Sequence, residues 1–173
     1  MQHRVLTREF FSRECPEVAR ELVGKWLCRR LPDGELRRRR ITETEAYCGE
    51  ADTACHAHKG RTGRTDVMYG PPGVLYVYLC YGIHWMLNIV TGPEEQPQAV
   101  LIRACEGADG PGKLTKALAI TGELNRYALL DENGPLWLED DSLPCRIETS
   151  IRVGIGYASP EDQKKPWRFI LEN

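Results

Sequence analysis

At 173 residues, 42% hydrophobic and 28% charged, with a formal net charge of −2, the chain has the make-up of one globular domain with a sizeable core, which excludes a disordered or low-complexity polypeptide. Seven cysteines, at 15, 28, 48, 55, 80, 105 and 145, are odd in number and form no C-x-x-C pair. Neither a disulfide framework nor a zinc ribbon is indicated, and reduced thiols of an intracellular compartment are expected.

The opening MQHRVLTREFF has no basic region followed by an apolar run, and no stretch nears the roughly 18 apolar residues of a spanning helix, so neither secretion nor membrane insertion is expected. Pro16 after Cys15 marks a first helical turn and Gly24 a stop, which predicts a helix over residues 16–23. Strands over 25–31 and 36–45 flank the turn signal Pro32-Asp33-Gly34, and the second runs through the four arginines 37–40 into ITETEAY. From Cys48 to Pro72 no period is sustained, so a long loop is expected there, of the kind that usually carries function.

Residues 74–90, VLYVYLCYGIHWMLNIV, read as two strands closed by a tight turn. Period 2 puts Tyr76 and Tyr78 on one face and leaves Tyr81 beside Gly82 at the tip, where an apolar ring has no core to enter. An exposed ring on a rigid tip suits a wedge that parts base steps, with a second aromatic ready to stack the expelled base. A strand over 99–105, a helix over 112–120 and a second short helix near 124–130 follow. Late strands are expected near 136–139 and 147–155, closed by 167–171. The class is α+β, one domain over 1–173 built on a mainly antiparallel sheet.

Charge is unevenly distributed. Residues 1–40 carry eleven Lys/Arg against six Asp/Glu, and 59–66 add Lys59, Arg61 and Arg64 against Asp66, whereas 131–148 hold six acids and Arg146. Such segregation would let one face meet phosphates in a chain that is nearly neutral overall; the alternative is solvated charge with no partner.

Several residues suit chemistry. Glu43, Glu45 and Tyr47 share one strand face, and the two acids are either exposed strand carboxylates or a pair at a site, where one could act as a general base; the spacing does not choose between them. Arg103, centred in the apolar run AVLIRAC, needs an acid or another anion, and Asn88, inside WMLNIV, needs a polar partner. His56 and His58 in CHAH have no further ligands at metal spacing. G-x-S-x-G, P-loop and dinucleotide signatures are missing, so acyl transfer and nucleotide chemistry have no support.

The segments ITETEAYCGEADTACH, PPGVLYVYLCYGIHWMLNIV, VLIRACEG, GPGKLTKAL, RVGIGYA and KKPWRF, in this order and spanning about residues 4–171, strongly resemble the alkyladenine (3-methyladenine) DNA glycosylase family. The resemblance implies a single domain with a curved antiparallel sheet, short helices and a protruding hairpin. It also implies excision of alkylated or deaminated purines without metal or cofactor, and a monomer whose partner is double-stranded DNA carrying a damaged purine. The location implied is cytoplasmic and nucleoid-associated in a bacterium, or nuclear in a eukaryote.

Residue by residue, the resemblance assigns Glu45 as the base that activates water, with Arg103 and the main-chain carbonyl of Val153 helping to hold that water. Tyr47, His56 and Tyr78 become the walls of the base pocket, Tyr76 steadies the His56 ring, Asn88 lies near the purine 2-position and Tyr81 fills the gap left in the duplex. No lysine is placed to form a Schiff base, which implies a monofunctional enzyme that leaves an abasic site. A non-catalytic lesion-binding protein and an RNA-binding module of related fold are the alternatives, and the presence of both Glu45 and Arg103 favours the enzyme.

Overall fold

In the computed structural model, which describes residues 2–129 and 131–173, the elements run β1 (Arg4–Val5), α1 (Arg8–Phe11), α2 (Cys15–Leu22), β2 (Trp26–Arg30), β3 (Leu36–Tyr47), β4 (Leu75–Cys80), β5 (His84–Thr91), β6 (Gln98–Cys105), α3 (Pro111–Ala117), β7 (Leu136–Asp140), β8 (Ile147–Ser150), α4 (Pro160–Gln163) and β9 (Arg168–Leu171). Pro16 sits in the first turn of α2, where its missing N–H leaves no bond unmade, and Cys15, Val18, Ala19 and Leu22 form one buried stripe.

The strands join in the order β1-β7-β2-β3-β6-β5-β4, with β9 pairing to β3 and to β8, and every pairing among the named strands is antiparallel. β3 changes partner along its length: residues 36–40 pair with β2, 41–47 with β6 and 43–45 with β9. One face of the sheet buries Ala46, Val77, Leu87, Ile89, Val100 and Ile102 against α2 and α3. On the other face a single row crosses four strands, because Glu45 pairs with Leu101, Leu101 with Asn88 and Asn88 with Tyr76. Directly paired residues in an antiparallel ladder share a face, so the row brings a carboxylate, an amide and a phenol from distant segments to one surface.

Residues 48–72 cover that surface. The expected loop is ordered by two 3₁₀ turns, His56–Lys59 and Asp66–Tyr69. Cys55, Ala57, Val67, Met68 and Tyr69 make a second small core with Val74, Tyr76 and Val90.

Several expected elements are shorter than their sequence pattern. The helix expected over 112–120 ends at Ala117, because Ala119 takes a left-handed φ of 50°. Of the helix expected near 124–130, only a 3₁₀ turn at Gly122–Leu124 forms, and Leu130 lies outside the described residues. Arg126 is left-handed (φ 71°), and 126–129 run along the edge of β4 instead, exchanging main-chain bonds with Leu75 and donating Leu129 N–H to Gly73 O. This covers the start of the β4 edge. The strand expected over 147–155 stops at Ser150, beyond which Gly154 (φ 73°) turns the backbone away. β1, α1 and α4 are too short for periodicity to reveal.

Part of the positive charge of residues 1–40 is paired within the fold. β7 lies between β1 and β2 in the sheet, which brings the acidic segment onto the basic one. Lys25 meets Asp140 at 2.9 Å, Arg38 meets Glu139 at 2.7 Å and Arg40 meets Asp141 at 2.8 Å.

The β4–β5 hairpin ends in a turn closed by Ile83 N–H donating to Cys80 O at 3.1 Å, with Tyr81 and Gly82 at φ 51° and 67°. Successive positive φ angles normally select Asn, Asp or Gly. Tyr81 is nonetheless the residue present, and it is 91% exposed. Tyr81→Asn is therefore expected to melt within about 2 °C of the wild type or above it, since it relieves left-handed strain of about 1 kcal/mol and removes no buried surface. A fall of many degrees in a calorimetric melt would mean that the ring supports the fold.

Candidate active site

Glu45 is wholly buried, and three neighbours compensate its charge. Val153 N–H donates to Oε2 at 2.6 Å, Tyr47 O–H donates to Oε1 at 3.0 Å, and an Arg103 Nη lies 3.6 Å from Oε1. Arg103 also forms an ion pair with Glu43, Nε to Oε1 at 3.0 Å, and the Glu43 carboxylate takes a hydrogen bond from Arg168. The two acids that would repel each other are thus separated by a shared guanidinium and a second arginine. Glu43 is buried as well, so neither acid is the exposed strand carboxylate weighed from the sequence.

A register shift makes this possible. Between Ile41 and Thr44 the β3–β6 pairing shifts twice, and Thr42 and Arg103 are left without directly paired residues. Bulges of this kind re-aim side chains beside sites, and here the displaced Arg103 reaches both carboxylates.

Beside the carboxylate opens a cleft of about 340 Å³, its mouth included, lined by Tyr47, Ala54, Cys55, His56, Met68, Tyr76, Tyr78, Asn88, Ala99 and Tyr157. The five substrate-pocket residues named from the sequence (Tyr47, His56, Tyr76, Tyr78 and Asn88) all lie in this lining. His56 Nδ1 is 2.9 Å from the Tyr76 hydroxyl, and the His56 and Tyr78 rings meet edge-on at 4.7 Å. Asn88 Nδ2 donates to Tyr76 O at 3.2 Å, which fixes the orientation of the amide. Tyr81 lies apart at the hairpin tip. Val153 touches Glu45 through its N–H, whereas the resemblance pointed to its carbonyl.

Electrostatics set the protonation states. Burial raises the Glu45 carboxyl above the ordinary carboxylate range, opposed by the Val153 amide, Arg103 and Tyr47. Burial likewise raises Tyr47, so its hydroxyl stays a donor. His56 is pushed down to about 4 by burial and by the nearby Arg64 guanidinium, and its ring is neutral at physiological pH. Burial pushes the Cys55 thiol up to about 12. The one cysteine lining the cleft is therefore no thiolate nucleophile. His56 and His58 serve different partners, the second facing Glu50 O at 2.7 Å. Among the described residues no cluster of three or more His, Cys, Asp or Glu side chains could hold a metal ion.

The family model of methylpurine-DNA glycosylases matches residues 9–108 and 105–173. The chain belongs to this family. Among curated relatives, a protein of Methanocella arvoryzae named "Putative 3-methyladenine DNA glycosylase" is 46% identical over 189 residues, covering 98% of this chain and 93% of its own. Proteins of the same name from Anaeromyxobacter sp. (47% identical; 96% of this chain, 89% of theirs) and Psychrobacter cryohalolentis (44%; 96% and 91%) are similarly close.

Sequence reasoning missed part of this methylpurine-DNA glycosylase family site. Tyr157, 68% exposed, reaches over the cleft mouth and donates to Ala54 O at 2.8 Å. It lies just past the strand expected over 147–155, where no periodicity marks it. Ala54 and Met68 enter from the loop, where no sequence pattern announces which side chains point inward.

The raised Glu45 pKa has a consequence for stability. The folded state holds this proton more tightly than the unfolded chain, so stability falls as pH rises from the unfolded carboxylate value through the raised folded one, and the full loss is present at neutral pH. Glu45→Gln cannot ionise and is expected to melt above the wild type at pH 7, with the gap closing towards about pH 4. Equal melting temperatures across that range would refute the burial argument.

Proposed function

We propose that this protein is a monofunctional DNA glycosylase acting as a monomer on double-stranded DNA. It turns an alkylated or deaminated purine, of the 3-methyladenine, 7-methylguanine, hypoxanthine and ethenoadenine class, out of the helix and hydrolyses its N-glycosidic bond, leaving an abasic site. The observation that carries this reading is a buried carboxylate, held by three donors, at the side of a cleft lined by the aromatic rings of Tyr47, His56, Tyr76 and Tyr78.

The flipped base lies with Tyr47 on one side and His56 and Tyr78 on the other, while Tyr81 fills the vacated stack. A base methylated at N3 or N7 is cationic, and the aromatic faces attract it by about 0.5–2 kcal/mol. Asn88, fixed by Tyr76 O, crowds an exocyclic amino group at the purine 2-position. Water held near Glu45, Arg103 and the Val153 main chain attacks C1′ and gives its proton to Glu45, and the electron pair of the C1′–N bond leaves with the purine. The ionised carboxylate also offsets positive charge on the oxocarbenium-like sugar. Among the described residues, none that lines the cleft is a lysine, which supports hydrolysis over a Schiff-base route.

Duplexes carrying one lesion each, treated with alkali to reveal abasic sites, test the reading. Wild type is expected to produce alkali-labile sites at the lesion. Glu45→Gln is expected to bind the lesion duplex nearly as tightly and to lose excision by about 10²–10⁴-fold. A wild type that binds and never excises would be a lesion-binding protein, and an inactive Glu43→Gln beside an active Glu45→Gln would reassign the base.

A further inference from the structure

Arg152 makes no hydrogen bond to Glu45 among the described residues and packs behind Tyr47, a wall of the cleft. Its side chain is buried, as is that of Asp52, and the two form a two-pronged pair with Nη1 to Oδ2 at 2.6 Å and Nη2 to Oδ1 at 3.0 Å. The remaining Nη hydrogens reach Ala46 O at 2.9 Å and Asp162 O at 3.2 Å. The guanidinium carbon lies 5.0 Å from the ring of Tyr47 on one side and 5.0 Å from that of Trp167 on the other. Nε has no partner.

Each of these contacts ends on a part of the site. Ala46 is the link between Glu45 and Tyr47 on β3. The Tyr47 ring is one wall of the cleft. Asp52 accepts from Cys48 N–H at 2.9 Å and from Ala54 N–H at 3.1 Å, and so shapes the turn that leads to Cys55 and His56. Arg152 is followed directly by Val153, whose N–H donates to Glu45. Buried ion pairs seldom stabilise a fold more than apolar packing of the same volume. Stability alone does not explain the arrangement.

We propose that Arg152 is a positioning residue for base excision: locked onto Asp52, it holds in one rigid unit the Val153 amide that grips Glu45, the Tyr47 ring that walls the cleft and the turn that presents His56. The inference rests on the glycosylase reading for its catalytic consequence, but the grip on Glu45 can be measured without substrate.

The groups that face Glu45 are Glu43 and Tyr47 from its own strand, Arg103 from β6, and the Val153 amide and Tyr157 from the segment after β8, with Arg168 of β9 behind Glu43. Arg152→Lys keeps the positive charge and removes the fork that bridges Asp52, Ala46 and Asp162. A change at Glu45 then comes from a loosened Val153 amide or Tyr47 hydroxyl, the two donors that Arg152 helps to place and that favour the ionised carboxylate. Trp167→Leu, which strips one face of the guanidinium and leaves the ion pair, is the companion variant should the first not fold.

The experiment follows the Glu45 carboxyl carbon by NMR across a pH titration and, on the same proteins, single-turnover excision and lesion-duplex affinity. In Arg152→Lys the Glu45 titration is expected to move to higher pH, with excision near pH 6 down at least tenfold, partial recovery at higher pH and a Kd changed less than about fivefold. Trp167→Leu should move the titration the same way by less. A folded Arg152→Lys with an unshifted Glu45 titration and a wild-type pH profile would make Arg152 a purely structural residue and overturn the proposal, as would an unmoved Trp167→Leu if Arg152→Lys does not fold. A shifted titration in a protein whose wild type excises nothing would leave the positioning intact and defeat the glycosylase reading.

Discussion

The structure depends on keeping a carboxylate in a place without water. Burying an isolated anion is prohibitive, and Glu45 is tolerated because an amide, a phenol and a guanidinium converge on it from three segments. Each compensating group fixes a piece of architecture. Tyr47 has to follow two residues along the same strand, Arg103 has to lie at a shifted register, and the segment after β8 has to leave the sheet so that its amide points at the carboxylate rather than into a ladder. The truncation of β8 and the shift between β3 and β6 are therefore parts of the site.

The compensation is incomplete, as the raised Glu45 pKa records. A fully neutralised carboxylate would accept a proton from water poorly, and an exposed one would be screened. Partial compensation leaves an anion that gains from taking up a proton. His56 follows the opposite logic in the same cleft: burial and Arg64 keep it neutral, so this ring adds no charge of its own beside the guanidinium of Arg64, which lies 4.7 Å from the Tyr78 ring.

Much of this was legible in the sequence because strand alternation carries it. Glu43, Glu45 and Tyr47 at spacing two, Tyr76 and Tyr78 at spacing two, and one arginine inside an apolar run identify a face, a pocket wall and a buried cation before any coordinates. What alternation cannot give is the partner across the sheet. The row Glu45–Leu101–Asn88–Tyr76 is a fact of register, and the choice of Glu45 over Glu43 came from the family resemblance and not from spacing. Arg152, Asp52 and Tyr157 were invisible for a related reason: they act from irregular segments, where no period says which side chain turns inward. The charge pattern was legible only in part, because segments far apart in sequence, residues 1–40 and 131–148, are neighbours in the sheet, where Lys25, Arg38 and Arg40 meet Asp140, Glu139 and Asp141.

The central claim is that Glu45 works as an ionised base although it is buried. The pH dependence of single-turnover release of 7-methylguanine tests it most directly, because that base is already cationic and needs no proton to leave. The account predicts a rate that falls on the acid side through one ionisation lying above the ordinary carboxylate range of about 4.3. A rate that stays flat down to that value would contradict it.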